Sequence, residues 1–101
     1  MDLQPKFIIE DNALILGKVT FHKHLANDIS KVRGGGWFVY HHDSKTFILH
    51  GESHQFGKAR LEDIQKCVES GEVYTNKSKT HSIAKDFTFY YDKYSEKVKL
   101  N

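Results

Sequence analysis

Two short apolar runs, Trp37-Phe38-Val39-Tyr40 and Thr46-Phe47-Ile48-Leu49, are separated only by His41-His42-Asp43-Ser44-Lys45. Aromatic and β-branched residues at this density favour extended backbone. So short a polar connection makes the two runs fold back on each other as a hairpin. The rest of the chain has to be built around that pair.

Other segments supply further strands. Lys6-Phe7-Ile8-Ile9-Glu10 is apolar and ends at the turn signal Asp11-Asn12. The run from Ala13 to His24 carries Leu14, Ile15, Leu16, Val19 and Phe21 and reads as a strand, with Gly17 marking a bulge or a close backbone approach. Glu72 to Thr75 reads as a short strand. From Ser82 to Asp92 the pattern alternates, with Phe87, Phe89 and Tyr91 on one face and Thr88, Tyr90 and Asp92 on the other. The spacing of Leu61, Ile64, Cys67 and Val68 predicts a helix over 59–70, closed by Gly71. Leu25 to Arg33 has room for one or two helical turns. Gly34-Gly35-Gly36 interrupts the pattern ahead of the Trp37 strand.

These elements predict an α+β fold: a mixed or antiparallel sheet of about five or six strands with one main helix packed on it. A chain of 101 residues is expected to form a single domain over 1–101. A hydrophobic share of 39% is enough for one compact core without cross-links. From about residue 93 the chain reads as a solvated tail, with Lys93, Lys97 and Lys99 interleaved with Asp92 and Glu96. Cys67 is the single cysteine, so no disulfide forms within the chain, which suits a reducing compartment. The N-terminus lacks the blocks of a signal peptide, and no apolar run approaches the roughly 20 residues of a membrane helix. The cytoplasm and a monomeric state are the expectations. A net charge of +2, with scattered lysines, does not point to nucleic acid.

Three features carry chemistry. Gly34-Gly35-Gly36 permits close approach of backbone to a ligand or to another strand. A strand follows it, so the Walker and dinucleotide patterns do not apply, and a tight lead into the Trp37 strand explains it equally. Gly51-Glu52-Ser53-His54-Gln55-Phe56-Gly57 lies between a strand and the helix. Its amides can form an anion-binding nest and Ser53 can donate a hydroxyl, or the loop is an ordinary connection with Ser53 bonded to backbone. The chain also has seven histidines, at 22, 24, 41, 42, 50, 54 and 81. Histidine suits acid–base work near neutrality. His22 and His24, two apart at a strand end, can face the same way. Adding His50 or His54 could make a metal site, but no cysteine cluster and no H-E-x-x-H is present and the spacings match no metal signature, and no G-x-S-x-G marks a covalent hydrolase.

Taken together, 33–41 and 45–59 resemble the janus/ocnus family of phosphohistidine phosphatases: a triple glycine, a hairpin, then a loop of the form aromatic-Gly-x-Ser-x-x-aromatic-Gly before a helix. The resemblance extends more weakly toward the N-terminus. It implies a general base at a histidine that follows an aromatic, which is His22 in Phe21-His22. It implies phosphate binding by Lys6 at the head of the first strand, by Ser53 with Gln55 at the amide position, and by Gly34, Gly35 and Gly36. Two family arginines are not matched. Trp37 stands where one follows the triple glycine, and the segment around Leu14 to Gly17 offers no counterpart of the other. The segment from His22 to Gly34 is also shorter than in the animal members.

The activity implied is metal-independent and cofactor-free hydrolysis of a P–N bond, acting on a phosphorylated protein or a small phosphoryl ligand, with neither nucleic acid nor membrane as partner. Two alternatives use the same residues: a module that binds phosphate without turning it over, and an interaction domain presenting aromatic strand faces such as Trp37 and Tyr90.

Overall fold

The computed structural model describes residues 2–76, 78–93 and 96–101. The first strand, β1 (Gln4–Glu10), turns at Asp11-Asn12 into β2 (Ala13–Val19), with Glu10 opposite Ala13. Asp11 takes the left-handed backbone that a turn this tight requires, at φ 54°. Next come a 3-10 turn at His22–Leu25, a second at Ile29–Lys31, and the long strand β3 (Val32–His41). The hairpin read from the sequence follows as β3 and β4 (Thr46–His50), with Trp37 opposite His50. The helix α1 (Leu61–Ser70) leads to β5 (Val73–Thr75), β6 (Thr88–Lys93) and β7 (Glu96–Lys99).

The strands form one sheet in the order β5-β2-β1-β3-β4-β6-β7. The pairs β2–β5 and β4–β6 are parallel and the others antiparallel. This corrects the expected fold class of an α+β sheet of five or six strands: among the described residues the protein is mostly sheet, with seven strands curled into a half-barrel and one α-helix. The C-terminal segment accounts for the difference. Glu96–Lys99, read as a solvated tail, pairs with β6 and places Lys97 opposite Asp92. Charged side chains that suit a solvated tail also suit an edge strand, where they oppose further pairing.

Successive strand residues point to opposite faces, so the sheet has two cores. Phe7, Ile9, Leu14, Leu16, Leu49 and Phe89 face the main core, which Ile64, Cys67 and Val68 of α1 close from above. Full burial of a side chain such as Ile64 contributes about 1.5–3 kcal/mol. Glu62 and Asp63 sit in the first turn of α1, where the helix dipole favours them. Gly71, at φ 83°, ends the helix by donating its N–H to the carbonyls of Cys67 and Val68. On the opposite face Ile8, Ala13, Ile15 and Tyr74 are covered by Leu25 and Ala26. Glu10 is buried there and accepts bonds from the amides of Asn27 and Asp28, which anchors the covering segment.

That covering segment departs from the run expected over 13–24. β2 stops at Val19 because the chain has to turn back and lay Leu25 on the second face. Gly17 permits this, since a Cβ there would lie 2.8 Å from Leu25 Cδ2. β6 likewise starts only at Thr88, although Phe89 and Tyr91 are buried on the expected face. Among the described residues no helix is long and apolar enough to cross a membrane.

Candidate functional site

The triple glycine does not interrupt β3; it lies inside the strand. Phe7, Ile8 and Ile9 of β1 stand opposite Gly36, Gly35 and Gly34. A Cβ on Gly35 would lie 2.6 Å from the Phe7 carbonyl oxygen, and one on Gly36 would lie 2.5 Å from that of His50. Backbone and side chains already occupy the space a side chain would need.

The room so created is used by His22. Its ring rests against Gly35, where a Cβ would meet Cδ2 at 3.2 Å, and its Nε2 lies 2.7 Å from the Gly36 carbonyl. A carbonyl oxygen only accepts, so Nε2 carries the proton. In the neutral ring Nδ1, on the far side from the glycines, is then the unprotonated nitrogen. His22 is 6% exposed. Burial lowers its pKa below the ordinary 6.5, the Gly36 bond opposes the shift, and the charge of Lys6 adds to the lowering. The ring is therefore neutral at pH 7.

Lys6 sits on the same face, cross-strand from Trp37. It is 6% exposed, and its ammonium donates to the Thr20 carbonyl. The Trp37 ring centroid lies 4.7 Å from Nζ and that of Phe21 5.9 Å. Among the described residues no carboxylate comes within 4.0 Å of it. A buried ammonium held by one carbonyl and two ring faces is stabilised further by any anion that reaches it.

The loop between β4 and α1 forms the third wall. Trp37 packs over Gly51, whose missing Cβ would lie 2.8 Å from Cδ1 of the indole, and Gly51 is left-handed at φ 70°. Ser53 is 2% exposed and donates its amide to the Gly35 carbonyl at 2.9 Å, and its Oγ accepts from the Phe56 amide at 3.1 Å. Gly57 closes the loop by donating to the Ser53 carbonyl. The amides of His54 and Gln55, between these clamps, bond to no acceptor among the described residues.

These parts meet at one cavity of about 260 Å³, lined by Lys6, Phe21, His22, Trp37, Glu52, His54 and Gln55. Of the residues singled out in the sequence, Lys6, His22 and Gln55 are brought together there. Ser53 and Gly34, Gly35 and Gly36 stand behind the wall: the serine shapes the loop, Gly35 and Gly36 seat the imidazole, and Gly34 lies against the backbone of Lys58 and Ala59. His24 does not share the site. In a 3-10 turn, residues two apart do not face the same way, and His24 is exposed, edge-on to Phe21. The sequence reading missed Phe21 and Glu52 as cavity residues. Their signal was adjacency, since each precedes a residue that was singled out. Among the described residues no three His, Cys, Asp or Glu side chains are grouped as metal ligands would be.

A larger cavity of about 410 Å³ lies at the other end, lined by Asp11, Asn12, Arg33, Asp63, Lys66, Cys67, Ser70 and Glu72. Its Arg33 lies 3.4 Å from Asp63. Its one thiol is inert: burial first, then the nearby Asp63, push Cys67 up to about 12, and Sγ donates to the Asn12 carbonyl. The smaller cavity has a buried imidazole with one unprotonated nitrogen and the ammonium without a carboxylate partner, and it is the candidate site.

Comparison with models of known families, with curated proteins and with solved structures finds no match.

Proposed function

We propose that the chain is a divergent relative of the janus/ocnus phosphohistidine phosphatases and that it hydrolyses the P–N bond of a phosphorylated protein or small phosphoryl ligand. One observation carries the reading: a neutral histidine with a fixed tautomer shares a cavity with a buried ammonium that lacks a carboxylate partner. Nδ1 of His22 takes a proton from water as the water oxygen bonds to phosphorus. The P–N bond breaks and its electron pair leaves with the nitrogen. Lys6 and the amides of His54 and Gln55 hold the phosphoryl oxygens, on which charge is spread in a loose transition state. Ser53 acts through the loop that it folds. No step calls for a metal or an organic cofactor.

A second reading, phosphate binding without turnover, is favoured by a different observation. Lys6 is the only lysine or arginine among the cavity residues, and Trp37 occupies the position of a family arginine. The two readings separate in one experiment. Purified protein is incubated with phosphohistidine, and released phosphate is measured beside a phosphate titration followed by amide chemical shifts. Release above the uncatalysed rate, with shifts at His22, His54 and Gln55, supports the phosphatase. Shifts without release leave the binding module. Shifts confined to the hairpin turn at 41–45 would overturn both. In either case Lys6→Met weakens phosphate binding about tenfold or more, the loss of one charge-assisted contact.

A further inference from the structure

The cavity holds charge of both signs. Its lining also includes Glu52, which the P–N hydrolysis described above does not use. Its backbone is fixed on both sides, by Gly51 under the Trp37 ring and by the buried, doubly bonded Ser53. Its side chain is exposed, with neither an ion pair nor a hydrogen bond among the described residues. The charged and titratable groups that face it are Lys6, His22 and His54 across this cavity, and Lys58 and Asp92 in the neighbouring one. A carboxylate at the rim of a phosphate site repels a phosphate dianion, so an unpaired one lowers affinity for inorganic phosphate and for phosphate esters alike. The repulsion becomes attraction if the ligand carries a cation beside its phosphoryl group.

We infer that Glu52 is a specificity-determining residue that selects phosphoramidates whose leaving nitrogen is protonated over phosphate esters. The inference rests on the phosphoryl site proposed above and adds the class of ligand. A phosphoramidate near neutral pH is such an ion, a phosphoryl group of charge −2 bonded to a nitrogen of charge +1. Lys6 and the loop amides meet the first part and the Glu52 carboxylate the second. The positive nitrogen is also the form that leaves. When the P–N bond breaks, its electron pair neutralises that nitrogen, water supplies the fourth oxygen of phosphate, and the proton taken by His22 passes to solvent. An ester oxygen carries no such charge and gains nothing from Glu52.

The test compares two probes of nearly equal size, inorganic phosphate and phosphoramidate, by calorimetry or amide shifts at pH 7. Wild type is expected to bind phosphoramidate about fivefold more tightly, the scale of one partly screened ion pair. Glu52→Gln is expected to abolish that preference by weakening phosphoramidate alone, with phosphate affinity equal or higher. Glu96→Gln, which removes the same charge at the far edge of the sheet, is expected to keep it. Equal affinity of wild type for the two probes, or an unchanged preference in Glu52→Gln, overturns the role of Glu52 and leaves the phosphate site standing. Binding of neither probe overturns the site itself and this inference with it.

Discussion

The imidazole of His22 donates from Nε2 to the carbonyl of Gly36 at 2.7 Å, fourteen residues along the chain. The bond fixes the ring so that its other nitrogen is the basic one, and it forms because Gly35, with no Cβ, leaves the ring room against β3. If P–N hydrolysis occurs, His22→Ala reduces it about 100-fold or more, the lower end of what a general base contributes. His24→Ala, on the exposed side of the turn, changes it less than threefold by the same argument. Initial rates of phosphate release check both. Equal losses in the two variants would remove His22 as the base.

Burial of His22 makes stability depend on pH. Its pKa is lowered on folding from the ordinary 6.5, so between the two values the unfolded chain binds more protons than the folded one. This contribution is fully present above pH 6.5 and is lost as pH falls through the folded value. Urea unfolding from pH 7.5 to 5 should show the midpoint falling on acidification. His22→Gln should flatten that fall. An unchanged slope in the variant would show that other groups carry it.

Gly36 and Gly57 make a matched pair of substitutions. At Gly36 a Cβ meets the backbone oxygens of His50 and Gly51 at 2.5 and 2.9 Å, and neither can move without opening the sheet. At Gly57 nothing lies within 4 Å, and only the left-handed φ of 79° opposes a side chain. Gly36→Ala is expected to cost about 3 kcal/mol and to shift the His22 ring resonances. Gly57→Ala is expected to cost about 1 kcal/mol and to leave those resonances in place. Denaturant titration and imidazole proton shifts distinguish the two.

Cys67 should resist alkylation. With its thiol pushed up to about 12 and buried under α1, almost no thiolate exists at pH 8 in the folded state. Labelling by iodoacetamide should be slow in buffer and fast in denaturant, with a rate in buffer that follows global unfolding. Rapid labelling of the native protein would mean that the helix opens locally.

The local elements were legible because their causes are local. Leu61, Ile64, Cys67 and Val68 fix a helix face by their spacing, Gly71 ends it, and aromatic runs about so short a turn as 41–45 pair with each other. The resemblance likewise singled out His22 and Lys6, which the fold brings to one cavity although they lie far apart in the chain. The interior path of the triple glycine was not legible. A glycine is compatible with a break and with a close contact, and only the Phe7 and His50 carbonyls pressing on β3 decide between them. The place of β7 was undetermined for a similar reason: Glu96–Lys99 has the composition of a solvated tail, and the open edge of β6 makes it a strand. Periodicity and turn chemistry act between near neighbours, so the sequence by itself determined the helix and the strands with a clear apolar pattern. Burial, strand order and the facing of Lys6, His22 and Glu52 depend on contacts between segments remote in the chain, and those only the tertiary structure decided.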